Sequence, residues 1–264
     1  MELVRDRFWI WGHEAGSHGM TEWGVPEPSR ITPVEGAHYM GIPNIIMVRY
    51  GNKPAPPYKQ YTVPFKSLKN VVWSIVGAGG TTQAEDRDKV LEIPQYLPNM
   101  TGVMMDDFFH DKGDENTIGA LSIADLEKMQ KRLKSMKPKL DLWVVLYEKQ
   151  LSLSIKKHLE LCDVVSYWTW TGRILKDLPD RFEKVEELAP KSKKVLGCYM
   201  YDYEPKKPMQ IDWMEMQCEL GLKWLKQGRI EGMIFLATCI CDLELEAVEW
   251  TRKWIAKVGN EKLK

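Results

Sequence analysis

The sequence predicts an α/β protein, a single-domain (β/α)8 or TIM barrel that spans residues 1–264. Two observations predict this fold. Eight short apolar runs are rich in β-branched and aromatic residues, and none alternates cleanly between polar and apolar positions, as expected for strands covered on both faces of a parallel sheet. The intervals between the runs carry helix signals. Eight such pairs in about 250 residues favour a barrel over a doubly wound open sheet, which usually has fewer strands and a glycine fingerprint after the first one.

The predicted strands share an apolar character and short length. In chain order they are Phe8–Trp11, Asn44–Tyr50, Val71–Val76, Gly102–Met105, Leu142–Tyr147, Val164–Trp168, Val195–Met200 and Gly232–Ala237.

Helices are predicted between these strands from capping residues and helical spacing of apolar positions. Ser122 and Asp125 resemble a capping box that opens a helix over Leu126–Leu133. Pro94 interrupts the helix predicted over Arg87–Leu97. The remaining predicted helices are Pro33–Met40, Val63–Leu68, Leu151–Leu161, Asp180–Leu188, Trp213–Leu225 and Leu243–Val258.

Charge and composition exclude several classes of protein. The 264 residues carry 37 Lys+Arg and 37 Asp+Glu, and this balance argues against nucleic acid as the main partner. No apolar run is long enough for a membrane span, so we expect no membrane association. The five Cys are scattered through apolar runs, as expected for unpaired thiols in a reducing compartment. The sequence therefore predicts a cytoplasmic location, or secretion if a natural signal peptide is missing, and it leaves the oligomeric state open.

Carboxylates and aromatic residues recur where the predicted strands end, which is the catalytic face of this fold. A sugar ring has an apolar face that stacks on Trp or Tyr, and its hydroxyls bond to charged and polar side chains. The sequence, with its 11 Trp, thus predicts a carbohydrate substrate. The predicted substrate-binding residues are His13, Glu14, Arg49, Tyr50, Asp107, Tyr147, Trp168, Trp170, Tyr201 and Asp242.

The segment from Thr101 to Phe109 reads TGVMMDDFF and carries the sharpest motif. It resembles the (β/α)8 glycoside hydrolases whose fourth strand ends in Gly-(apolar)-x-(apolar)-Asp-Asp-aromatic, an alpha-amylase-like arrangement. The resemblance implies that Asp106 is the nucleophile, Glu148 the acid/base and Asp202 a third carboxylate that stabilises the transition state. Carboxyl groups of Asp106 and Glu148 ~5–5.5 Å apart would imply retention, and ~6.5–9.5 Å inversion.

The chain departs from the amylase pattern at three points. Met104 stands where that pattern has Arg, His110 is only a rough counterpart of its His, and the long insertion after the third strand is absent. A structural interpretation of the motif also stays open, in which one Asp caps the loop before Ser122 and the other pairs with an Arg.

Two further functions compete with the glycosidase. A metal-dependent sugar isomerase, epimerase or lyase would need three or four ligands from different strands, drawn from His13, Glu14, Asp107, Glu148 and Asp202. A non-catalytic barrel would keep the aromatic residues and bind sugar without turnover. The leading hypothesis requires no cofactor and no metal. The segment Gly77-Ala-Gly79-Gly80 is interpreted as a flexible turn, since no Lys-Ser or Lys-Thr follows it as in a phosphate loop.

Overall fold

The computed structural model describes residues 2–114 and 116–263. The barrel strands are β1 Phe8–Gly12, β2 Asn44–Met47, β3 Asn70–Val76, β4 Met100–Met105, β5 Asp141–Tyr147, β6 Val164–Trp168, β7 Lys193–Tyr199 and β10 Gly232–Leu236. Two short strands, β8 Tyr201–Asp202 and β9 Lys207–Pro208, form a separate antiparallel pair. The α-helices are α1 Met20–Trp23, α2 Pro33–Met40, α3 Ala84–Glu92, α4 Ile123–Ser135, α5 Lys156–Glu160, α6 Leu178–Leu188, α7 Ile211–Lys226 and α8 Glu246–Val258.

Eight parallel strands close into a barrel in the order β1-β10-β7-β6-β5-β4-β3-β2. Every predicted strand is present, and the predicted barrel is confirmed. Residues of β1, β2, β6 and β10 are all buried, on both faces of each strand. This burial explains why their sequences are continuously apolar rather than alternating.

Helix starts follow the capping chemistry of the sequence. The Thr32 hydroxyl accepts the Glu35 N–H at 3.4 Å, while the Glu35 carboxylate accepts the Thr32 N–H at 2.8 Å, so α2 opens with a capping box. The Ser122 hydroxyl accepts the Asp125 N–H at 3.2 Å and caps α4. The helix α2 has the predicted bounds, and α4 begins three residues before the predicted start.

Three predicted helices are shorter than expected or of another type. The residues predicted as a helix over 151–161 form a turn and only then the five-residue α5, with the N–H groups of Leu153 and Ile155 bonded to Gln150 and Leu153. Ser152 and Ser154 lie in this turn, and Ser favours turns over helix interiors. The helix α3 ends before Pro94 in a 3-10 turn, and residues 64–67 form a single 3-10 turn.

The chain forms two compact units, which each contain complete strand pairs. The first holds the residues up to Ile46, Trp168–Leu178 and those from Val195 on; the second holds Met47–Tyr167 and Pro179–Lys194. In the first unit β10 lies between β1 and β7, with Trp11 opposite Leu236 and Leu236 opposite Tyr199. In the second unit β4 lies between β3 and β5, and its pairing with β3 shifts register between Ser74 and Val76.

Close packing inside the first unit requires glycine at one position of β7. A Cβ placed on Gly197 would stand 2.0 Å from a ring atom of Trp168, so the indole of β6 fills the space that any side chain would need. Among the described residues, no helix is both long enough and apolar enough to cross a bilayer.

Candidate functional site

Two adjacent aspartates follow β4 in the second unit and have different surroundings. Asp106 is 5% exposed, and its Oδ1 accepts the backbone N–H of Asp107 at 2.9 Å. Asp107 is half-buried. Its Oδ1 accepts the Tyr147 hydroxyl at 2.8 Å, and its Oδ2 accepts the Gly79 N–H at 2.7 Å. These four residues, Gly79, Asp106, Asp107 and Tyr147, are called the carboxylate cluster below.

The glycine-rich turn after β3 holds Asp107 in place. Gly79 and Gly80 have φ values of 70° and 69°, which glycine adopts without the penalty of a Cβ. A Cβ on Gly80 would also lie 2.9 Å from the carbonyl oxygen of Asp107. Asp107 itself has a φ of 44°, an unusual conformation for a residue with a side chain. The turn that the sequence indicated as flexible therefore supplies a fixed N–H to a carboxylate.

Burial keeps Asp106 protonated over a wider pH range than an ordinary carboxyl. Burial raises the pKa of Asp106 well above its usual 3.8, and the charge of Asp107 raises it further, against a smaller lowering by the Asp107 N–H. The carboxylate cluster thus pairs a proton-holding carboxyl with a carboxylate stabilised by two donors. A buried carboxyl that holds its proton, beside a second carboxyl that accepts two hydrogen bonds, is an arrangement that acid–base chemistry can use.

Glu148 begins the 3-10 turn Glu148–Gln150 directly after β5, and it is half-buried. The side chain of Gln150 fixes this turn, because its Oε1 accepts the Tyr147 N–H at 2.9 Å and its Nε2 donates to the Phe109 carbonyl at 3.0 Å. Gln150 thereby connects the chain after β4 with the chain after β5. The bonds of the two aspartates join them to Tyr147, Gly79 and the Asp107 N–H, and the Ser122 hydroxyl accepts the Asp125 N–H; the structural interpretation of the motif stays open beside the catalytic one.

A second group of side chains lies in the first unit and is called the aromatic cluster. Its members, which contact one another through their rings, are His13, His18, Trp23, Trp170, Tyr199 and Tyr203. The ring of Tyr203 lies at the centre, 5.1 Å from that of His18, 5.2 Å from that of Trp23 and 5.7 Å from that of Tyr199.

The two histidines of this cluster are hydrogen-bonded to neighbouring aromatic side chains. The Tyr203 hydroxyl and His18 Nδ1 are 2.7 Å apart, and the Trp11 indole N–H donates to His13 Nε2 at 3.0 Å. Burial lowers the pKa of His18 well below its usual 6.5, with the neighbouring His13 adding to the effect, and burial raises the pKa of Tyr203. His18 and Tyr203 are therefore uncharged at neutral pH.

Tyr201 fixes the chain that follows β1. Its ring is 1% exposed, and its hydroxyl lies 3.1 Å from the carbonyl oxygens of both Trp23 and Gly24. The hydroxyl that the sequence assigned to substrate is thus bonded to main chain. Trp168 is likewise 1% exposed, with its ring 5.1 Å from that of Tyr199.

The remaining predicted residues have diverse surroundings. Asp202 Oδ2 accepts the Gly172 N–H at 2.9 Å and the Thr171 hydroxyl at 3.3 Å. Exposed Asp242 accepts two backbone N–H groups, from Arg30 and Ile31.

Arg49 and Tyr50 interact with residues of their own unit. The Arg49 guanidinium pairs with Asp86 at 2.6 Å, and the backbone of Tyr50 forms a tight turn with Lys53. Glu14 is half-buried, and its carbonyl oxygen accepts the Ser17 N–H. That Arg49, Tyr50 and Glu14 contact a substrate stays a prediction.

The predicted site residues lack five members of the two clusters, which are Gly79, His18, Trp23, Tyr199 and Tyr203. Gly79 was interpreted only as part of a turn, and His18 and Trp23 lie in a glycine-rich stretch without strand or helix signals. Their partners are 28 to 185 positions away in the chain, so no local pattern could indicate them. Among residues 2–114 and 116–263, no group of three or more His, Cys, Asp or Glu side chains comes together as metal ligands would.

Comparison with known proteins indicates the fold. No known family profile matches the sequence, and no curated protein does. Similar solved structures include a putative alpha-L-fucosidase from Bacteroides thetaiotaomicron, with a TM-score of 0.57 and 13% identity over 87% of this chain and 88% of that one.

Two further structures are similar over most of this chain. A beta-D-glucuronidase from Dictyoglomus thermophilum has a TM-score of 0.53 and 8% identity over 88% of this chain, which spans only 47% of that protein. A xylanase and amylase inhibitor protein has a TM-score of 0.53 and 11% identity over 97% of this chain and 98% of its own. Both glycosidases and an inhibitor protein thus share this barrel fold.

Proposed function

We propose that the chain is a carbohydrate-acting hydrolase in which Asp106 donates a proton to the glycosidic oxygen. The observation that carries the proposal is the carboxylate cluster: a buried carboxyl with a raised pKa beside a carboxylate held by Tyr147 and Gly79. Cleavage of a glycosidic bond needs one carboxylic acid that protonates the leaving oxygen. It also needs a second carboxylate that attacks the glycosyl carbon or activates the attacking water. Glycosidases among the similar structures support this choice of substrate class.

The burial of Asp106 favours a role as proton donor over the nucleophilic role that the resemblance implied. A nucleophile must be ionised at working pH, whereas burial disfavours the ionised form of Asp106. Asp107 then serves as the second carboxylate, because both of its oxygens accept hydrogen bonds that stabilise the charge. Glu148 stays an alternative to Asp107 as the second carboxylate, and Asp202 stays the candidate for a third.

The test is a hydrolysis screen with leaving groups of different acidity. Aryl glycosides with strongly activated phenols need no proton from the enzyme, whereas alkyl glycosides and natural oligosaccharides do. We expect Asp106→Asn to lose about 10²–10⁴-fold in rate on the alkyl glycosides and much less on the activated ones. Asp107→Asn is expected to lose activity on both classes.

A matched control lies in the same segment. Asp111 is exposed and pairs with Lys149 at 3.0 Å, so Asp111→Asn should leave every rate unchanged. Glu148→Gln and Asp202→Asn report on the alternative assignments. Equal losses for Asp106→Asn on activated and unactivated substrates would refute the proton-donor role. Turnover that disappears after EDTA treatment would instead favour the metal-dependent isomerase, epimerase or lyase.

A sugar-binding barrel without turnover is the second candidate. The similarity to an inhibitor protein over almost the whole of both chains favours it, because that protein is named for inhibition rather than for hydrolysis. Sugar binding without turnover on any glycoside, in protein whose Asp106 and Asp107 are intact, would select this candidate.

A further inference from the structure

The aromatic cluster contains two rings that are more accessible than the others. Trp23 and Trp170 are half-buried, whereas Tyr199 and Tyr203 are 3% and 4% exposed. The two indole rings lie 6.3 Å apart with an angle of 66° between their planes. Both contact the ring of Tyr203. The two half-buried indoles, set at an angle and in contact with buried tyrosine rings, are therefore the part of the cluster that solvent reaches.

Hydrogen bonds from the chain around β8 fix the position of Trp23. The Tyr201 hydroxyl bonds to the carbonyl oxygen of Trp23, and the Tyr203 hydroxyl bonds to His18, five positions earlier in the same loop. Trp23 is thus held at two points of its loop before any ligand binds, which reduces the entropy that binding must overcome.

The lack of charged side chains in the cluster selects among ligands. The six members carry no carboxylate, Lys or Arg, and burial keeps His18 and Tyr203 neutral. Arg173, which follows Gly172, pairs with Glu204 at 2.7 Å. Lys206 is exposed, and its aliphatic stem lies near Gly24. The six members of the cluster thus match a ligand with an apolar face and offer no charged partner to an anionic one; Lys206 is a cation that lies near this loop.

We propose that Trp23 and Trp170, the half-buried rings of the cluster, form a binding site for a neutral pyranose ring. This inference takes its class of ligand, a carbohydrate, from the proposed function, but it does not depend on the hydrolysis reaction. A pyranose matches the site because its axial C–H groups form an apolar face, and its hydroxyls can bond to the polar atoms at the margin. A uronic acid would bring a charge that the six members of the cluster do not neutralise.

The test measures binding rather than turnover. Wild type and Asp106→Asn are titrated with methyl glycosides of glucose, galactose, mannose, xylose and fucose, and with methyl glucuronide, by calorimetry or saturation-transfer NMR. At least one neutral glycoside is expected to bind both proteins equally. Trp23→Ala and Trp170→Ala should each weaken that binding about tenfold, equivalent to 1.4 kcal/mol, while Trp23→Phe keeps a ring and loses less.

A half-buried Trp in the same unit gives the matched control. Trp250 stacks on Trp254 at 6.4 Å in α8, so Trp250→Ala removes an indole without altering the aromatic cluster. Urea unfolding of each variant confirms that it is folded. The proposal is overturned if no neutral glycoside binds, if Trp23→Ala and Trp170→Ala bind like Trp250→Ala, or if methyl glucuronide binds as tightly as the neutral sugars. Binding through Trp23 without any turnover would refute the hydrolase and leave this site intact.

Discussion

Replacing Asp106 by Asn should make the protein more stable at neutral pH. Because the folded state raises the pKa of Asp106, the folded protein binds a proton more tightly there than the unfolded chain does. The stabilisation from this proton is fully present below the unfolded pKa, near 3.8, and is lost as the pH rises through the folded pKa. Each unit of difference between the two pKa values lowers the free energy of unfolding by about 1.4 kcal/mol at high pH.

The Asn side chain keeps the local structure while removing this penalty. The Oδ1 of Asp106 accepts the Asp107 N–H at 2.9 Å, and an amide oxygen can accept the same bond. Urea unfolding, followed by Trp fluorescence between about pH 5 and about pH 8, should therefore show a steeper fall in stability for wild type than for Asp106→Asn. The two curves should converge at the acidic end and separate as the pH rises.

The neighbouring substitution gives a comparison with the opposite sign. Asp107→Asn leaves one oxygen for the two donors, Tyr147 O–H and Gly79 N–H, so one hydrogen bond to a charged group is lost. Such a bond contributes about 1.5–3 kcal/mol, and the variant should lose stability at neutral pH. If Asp106→Asn loses as much stability as Asp107→Asn, or if its pH profile parallels that of wild type, the argument from burial is refuted.

Two further substitutions test other parts of the structure. Tyr147→Phe removes the hydroxyl that donates to Asp107, so we expect the rate of hydrolysis to fall at least about tenfold, for a bond of about 1.5 kcal/mol or more. The loss of stability should be smaller than for Asp107→Asn. An unchanged kcat/KM would count against Asp107 as the second carboxylate. Gly197→Ala places a Cβ 2.0 Å from the ring of Trp168, so urea unfolding should show a loss of about 3 kcal/mol or more, whereas Gly19→Ala, with open space around it, should be near neutral.

The barrel could be predicted because its strands are buried on both faces. A run such as residues 142–147 must be continuously apolar when neither face meets water, and this pattern is local in the sequence. The helix start at Ser122 was equally readable, since a cap involves residues three positions apart; the cap at Thr32 is of the same kind but was not identified from the sequence. The end of α3 follows from Pro94. The turn before α5 was readable only in part: Ser152 and Ser154 favour it locally, but the side chain of Gln150 that fixes its start bonds to Phe109, a distant residue.

The candidate site could be predicted only in part, for the same reason. The motif that contains Asp106 and Asp107 marks a strand end, and strand ends are where this fold carries chemistry. The two aspartates differ in burial and in the donors that reach Asp107 from Gly79 and Tyr147, and these differences depend on residues distant in the chain. Asp202 and Glu148 were assigned through the resemblance, and their roles stay predictions, as does the cytoplasmic location.

The burial of Asp106 is itself an argument for a role in chemistry. A carboxyl whose function was only to accept the Asp107 N–H could be Asn, which accepts the same bond and has no charge to desolvate. The property that Asp has and Asn lacks is a proton that can be given and taken back. The carboxylate beside it makes ionisation still harder, which no purely structural role would require. A variant that is more stable than wild type yet inactive on unactivated glycosides would therefore identify Asp106 as the proton donor, because loss of a structural residue lowers activity and stability together.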